Sequence, residues 1–185
     1  MESLPDRDFS SAELTQNPLL NLLSEATDAM ALEESATHSD RPNLGNLFSN
    51  RSQEVLYLYS VGKRNFRLMN LVGAKLSGAN LSGADFTNAK FMLADLCELS
   101  AIKTKFVGAN LAGAIISEAC LQRANFTDAL LLGADLSGAD LEGANFTAAN
   151  LAGGNFTGAN LQGANFSEAV LADADFTNTN LETLK

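Results

Sequence analysis

The sequence predicts a repeat protein whose chain turns back every few residues around a narrow apolar interior. Three observations predict it. From Phe66 to Leu181 every fifth residue is Phe, Leu or Ile, 24 consecutive positions with the single exception of Ala101. Two residues before each centre, from position 74 to 179, Ala fills 18 of 22 places. Two residues after the centre Gly appears eleven times, as at Gly78, Gly138 and Gly163.

A period of five suits neither regular element. On an α-helix successive centres would drift by about 140° and spiral away from any one face. In a straight strand a step of five alternates the face. A buried row therefore requires frequent turns. Gly and small polar residues permit tight corners, and Asn or Asp can bond locally to turn backbone. The large centre and the small Ala before it can then both point inward and fill a narrow interior.

The units AKLSG, ANLSG, ADFTN, ADLSG and ANFTG give the pattern AxLxx, with Asn or Asp often in second place. In this the chain resembles the pentapeptide-repeat family, and its broad cyanobacterial-type members in particular, from Asn65 to Leu184. The resemblance implies an all-β solenoid, a right-handed quadrilateral β-helix of about six coils in which four five-residue sides make a twenty-residue coil. Residues twenty apart should then stack. The first side would place Phe66, Phe86, Phe106, Phe126, Phe146 and Phe166 above one another, at about 4.8 Å per coil. Ala101 is too small for its place, while Leu99 and Thr104 replace the usual Ala nearby. A slightly distorted third side or a bulged corner is expected around 97–105.

Three segments follow in chain order. Residues 1–50 form an acidic flanking segment. Asn17 and Pro18 open a helix with Leu19, Leu22, Leu23, Ala26 and Met30 on its apolar face, and THSDRPNLGNLFSN reads as a linker. The first ten residues are expected to be mobile. Residues 51–64 form a helical N-terminal cap, with Val55, Leu56, Leu58 and Tyr59 apolar and Gly62 as its stop. Tyr57 and Tyr59 as binding aromatics are the competing reading. Residues 65–185 carry the repeat. The last unit, TNLETLK, leaves little to cover the final coil, so Leu181 and Leu184 are candidates for a homodimer interface.

The chain has 185 residues and a net charge of −10, with 22 acids and 12 bases. The charge is uneven: residues 1–60 carry ten acids and three bases, 61–123 four acids and eight bases, 124–185 eight acids and one base. This argues against direct nucleic-acid binding through a general positive field. No apolar run of spanning length and no signal-peptide pattern is found, so a cytoplasmic protein without a membrane role is expected.

Catalytic motifs are missing from the sequence. The single histidine, His38, falls in the linker, and HExxH, CxxC, GxSxG, GxGxxG and phosphate-loop patterns do not occur. Cys97 and Cys120 read as free thiols. The acid pairs Asp140 with Glu142 and Asp173 with Asp175 read as solvated faces. The expectation is a non-catalytic protein without cofactor or metal, acting as an interaction scaffold for an unidentified protein partner. The candidate surface is Asp95, Asp135, Asp140, Glu142, Glu168, Asp173, Asp175 and Glu182. Some family members resemble duplex DNA in width and charge and bind type II topoisomerases such as DNA gyrase. That resemblance supplies the alternative, a DNA-mimicking topoisomerase modulator. Asp135 and Asp175 would stand about 9.6 Å apart, sparser than a phosphate backbone. Arg67, Lys75, Lys90, Lys103, Lys105 and Arg123 further break the mimicry.

Overall fold

The computed structural model of the chain describes residues 51–180. They begin with one helix, α1, Arg51–Ser60. It ends two residues before Gly62, which takes φ of 91°. The Lys63 amide donates to the Leu58 carbonyl at 3.0 Å and the Gly62 amide to Tyr59 at 3.1 Å. This pair of bonds is a Schellman stop, which satisfies carbonyls that the helix end leaves open. Val55 is fully buried and Leu58 and Tyr59 are partly so, whereas Leu56 is exposed.

From Asn65 onward the chain makes a turn every five residues. In all but the turn centred on Ile116, the amide three residues after the centre returns to the centre's carbonyl, as Ala89 does to Phe86 at 3.0 Å. The third residue of every such turn, from Leu68 to Asn178, has φ between 56° and 72°. This is the left-handed conformation a type II turn demands. The residue before each centre makes a parallel bridge to the residue twenty further on, as Asn125 does to Asn145.

The expected all-β solenoid with its quadrilateral β-helix is corrected by this backbone. Among the described residues there is no strand and no sheet: every pairing is an isolated bridge between single residues. The reason is the corner itself. Two turn residues in every five, one of them left-handed, leave no run of extended backbone long enough to become a strand. The fold is turn upon turn, joined by four ladders of single-residue bridges.

Backbone bonding shows what holds the turns together. In a typical unit the centre amide donates to the rung above, as Phe126 does to Asn145 at 2.7 Å. The corner amide does the same, as Asp128 does to Thr147 at 3.0 Å, and the bridge residue donates to the rung below, as Asn125 does to Thr104 at 2.9 Å. With the internal turn bond, four of five amides are satisfied by backbone. Wherever the bridge residue from Asn65 to Asp175 is Asn or Asp, its side-chain oxygen accepts the remaining amide, two residues on. Buried backbone polar groups need such partners.

Centres and preceding Ala residues form one continuous core. The six Phe of the first ladder stack at 5.1, 5.7, 5.0, 4.9 and 4.9 Å between neighbouring ring centroids. Phe91, Phe156 and Phe176 meet this row edge-on, for example Phe91 against Phe86 at 5.1 Å. The expected bulge at 97–105 is not formed: Ser100 bridges Cys120 and Lys105 bridges Asn125 in unbroken register. Leu99 and Thr104 are both buried beside Ala101, so side chains compensate for the missing volume and the backbone stays regular. The Thr104 hydroxyl donates to the Leu81 carbonyl at 3.0 Å, which makes its burial acceptable.

Helix α1 stands where a preceding rung would be. The Lys75 amide, which has no rung below it, donates to Ser52 Oγ at 2.9 Å. The Tyr59 hydroxyl donates to the Ser82 carbonyl at 2.9 Å, and the Arg64 guanidinium lies 3.7 Å from the Tyr59 ring. Tyr59 is thus occupied structurally.

Candidate interaction surface

One ladder runs Lys75, Asp95, Ile115, Asp135, Asn155, Asp175, each bridged to the next. Three of the sequence-predicted acids are therefore on one edge. Their carboxylates do not all stand free. One oxygen of Asp95 accepts the Cys97 amide, one of Asp135 the Ser137 amide, and one of Asp175 both the Thr177 amide and hydroxyl. Asn155 Nδ2 also donates to Asp135 at 3.1 Å. The hydrogen bonds from the Thr177 hydroxyl and amide hold the Asp175 carboxyl below the usual carboxylate range.

Asp140 lies on the next ladder, where it accepts from the Glu142 amide, from Gln122 Nε2 and from Asn160 Nδ2. Glu142 is exposed. Glu168 and Asp173 are exposed corner residues with φ of 63° and 58°. Glu182, Leu181 and Leu184 lie outside the described residues, as do the expected flanking helix, the linker and His38. The described candidate acids are spread over all four ladders.

Among the described residues no group of three or more His, Cys, Asp or Glu side chains is placed to hold a metal ion. Cys97 is half-buried, with the Ser117 hydroxyl 3.6 Å from its sulfur, and Cys120 is exposed. No described helix is long and apolar enough to cross a membrane. Asp85 is the acid most involved in local charge. Partial burial opposes its ionisation, but bonds from the Thr87 hydroxyl and amide, with Arg67 and Lys105 nearby, outweigh it and lower its pKa. Arg67 stands 3.6 Å from this carboxylate.

Sequence reasoning overlooked the outward residues of the second ladder. Sorting the sequence by position within each twenty would have shown them. Val72, Met92, Leu93, Leu130, Leu132 and Val170 are large, apolar and exposed there.

Comparison with known proteins matches the chain to the family described as pentapeptide repeats, with eight copies over residues 70–96, 89–128, 124–163 and 149–183. No similar protein was found among curated proteins. Among solved structures, a pentapeptide repeat protein from the cyanobacterium Cyanothece 51142 shares 25% identity over 71% of this chain and 97% of its own, at a TM-score of 0.45. One from the thylakoid lumen of Arabidopsis thaliana shares 36% identity over 60% of this chain and 66% of its own, at 0.35. The plasmid-mediated fluoroquinolone resistance protein QnrB1 shares 22% identity over 65% and 78%, at 0.39.

Proposed function

Because the chain belongs to the pentapeptide-repeat family, we propose that it is a non-catalytic protein-interaction scaffold or regulator. The match to this family over most of the chain is the observation that carries the reading. A filled interior also supports it, since centres such as Phe126 and Leu131 are fully buried and leave no room for a substrate. The partner is a protein, with neither nucleic acid nor membrane engaged directly, and the compartment is the cytoplasm. Affinity capture from native lysate tests this, comparing the full chain with a deletion of residues 1–50. Loss of the captured protein on deletion assigns recognition to the flanking segment, and retention assigns it to the repeats. Recovery of no specific protein by either form removes the reading.

Self-association through the last rung is a second element of the proposal. Phe166 and Phe176 are only partly buried, and Leu171 is 37% exposed where its counterpart Leu151 is fully buried. A second copy would cover these groups. Light scattering on the purified chain should give twice 19.5 kDa, and a monomer at tens of micromolar sinks this element.

The topoisomerase alternative has less support. Its candidate acids are spread over four ladders, and several of their oxygens are used by turn amides. A supercoiling assay with excess protein is expected to show no inhibition; salt-sensitive inhibition weakened by charge reversal at Asp135 and Asp175 would reinstate the alternative.

A further inference from the structure

The second ladder presents an outward column that no structural role explains. Every twentieth residue from 72 reads Val72, Met92, Ala112, Leu132, Ala152 and Ala172. Leu130 and Val170 stand beside it on the bridge positions, and Leu132 is 54% exposed. Lys90 and Asp173 alone are charged among the outward bridge and turn positions of this ladder. The third ladder, by contrast, carries Lys75, Asp95, Glu98, Glu118, Asp135 and Asp175 at the equivalent places. An apolar strip with so little charge, on so acidic a chain, is the kind of surface a partner covers.

The rims say what that occupant is. On one rung the segment Leu130–Gly133 is preceded by the corner Asp128 and followed by Asp135. Two rungs on, the segment Val170–Asp173 is preceded by Glu168 and followed by Asp175. Acid therefore brackets the apolar strip on both edges at these two rungs, while Ala148 and Asn155 stand at the rung between them. A second copy would bring its own carboxylates against these, so like charge disfavours it. Spacing favours a helix. Two rungs rise about 9.6 Å, and seven residues of α-helix rise about 10.5 Å. A helix lying along the ladder can seat an apolar residue on alternate rungs while basic residues on either flank reach the two rims.

We propose that the second ladder between Asp128 and Asp175 is a docking strip for a basic amphipathic helix of a partner protein. The proposal rests on the scaffold reading and gives it a surface and a partner chemistry. It resembles helix-in-groove recognition in its energetics, with an apolar row supplying affinity and charged edges supplying orientation.

The test uses the full chain and a synthetic 18-residue peptide with one Leu row flanked by Lys on both sides. A scrambled peptide of the same composition is the control. Fluorescence anisotropy is expected to show the amphipathic peptide binding about tenfold more tightly than the control, with added salt weakening both. The double variant Leu130→Ser, Leu132→Ser should abolish that preference, while Ile102→Ser on another ladder should keep it. Both altered leucines are exposed, so an unchanged thermal midpoint will show that the fold survives. The variant Asp128→Asn, Asp135→Asn, which retains a side-chain acceptor for the Ser137 amide, should reduce affinity and flatten the salt dependence. Equal binding of the two peptides overturns the proposal, as does a preference that survives loss of both leucines. Self-association abolished by the leucine variant would also overturn it, assigning the strip to a second copy. The scaffold reading is judged separately: a lysate partner still captured by the leucine variant leaves it standing while this proposal falls.

Discussion

At each corner from Leu68 to Asn178 the backbone holds a positive φ, and the residue there decides how much strain that costs. Gly fills eleven of these corners and residues with side chains fill twelve. A Cβ at Gly133 would meet nothing within 4 Å. Gly133→Ala should therefore lower stability through backbone strain alone, by about 1 kcal/mol, measured by chemical denaturation. Asp85 offers a different residue-scale test. Its lowered pKa means that its ionised form stabilises the fold above the ordinary carboxylate range, and that this contribution is lost as pH falls through the folded value. Asp85→Asn should thus be less stable than the parent at neutral pH, with the gap closing below about pH 4. Thermal midpoints across an acid series would show it; a gap that persists at low pH would assign the loss to something other than charge. The Asn and Asp positions were legible in the sequence as local turn acceptors because their spacing to the turn amide is fixed. The left-handed corners were only half legible, since Leu68 and Leu93 occupy them as readily as Gly73 and Gly113.

At the scale of elements, the Phe row and the helix make separable contributions. Phe126 is fully buried, with neighbouring rings at 5.0 and 4.9 Å. Phe126→Ala should cost on the order of 3–5 kcal/mol through lost transfer energy and the cavity left behind. An unchanged thermal midpoint would contradict the stacked interior. Ser52→Ala removes the acceptor for the Lys75 amide and should cost about 1–2 kcal/mol. The loss should concentrate in the first rung, read as faster amide exchange there. The stacking register was legible because six equivalent positions all hold Phe. The strands that the resemblance implied were not formed, because a periodic pattern fixes which residues align but not how long the backbone between corners stays extended. The regular backbone at Ala101 escaped notice for a related reason. The pattern shows volume exchanged among Leu99, Ala101 and Thr104, but not that side chains alone absorb it while the backbone keeps its register.

For the molecule as a whole, the charge of −10 is a sum over unlike surfaces. Sequence blocks suggested an acidic, a basic and an acidic part. The bridges sort the same residues differently, by ladder, and it is this sorting that separates the charged third ladder from the nearly uncharged second. The candidate acids were legible as residues but not as a surface. Position along the chain does not reveal which side a residue joins until the register of twenty is applied. Binding to any basic partner should weaken with salt, and replacing second-ladder leucines should weaken it without altering that salt slope. Titration calorimetry at two ionic strengths separates these contributions.

The register also sets the size of tolerated change in length. Each bridge residue pairs with the one twenty further on, as Asn125 with Asn145 and Asn145 with Asn165. Removing one five-residue unit would carry every later residue onto the neighbouring ladder, setting Phe against Leu and acid against the apolar strip. Duplicating or deleting a block of twenty keeps each ladder's identity. Growth and shortening of this protein are therefore quantised, and a chain one whole rung longer is a smaller departure from it than a chain one unit shorter.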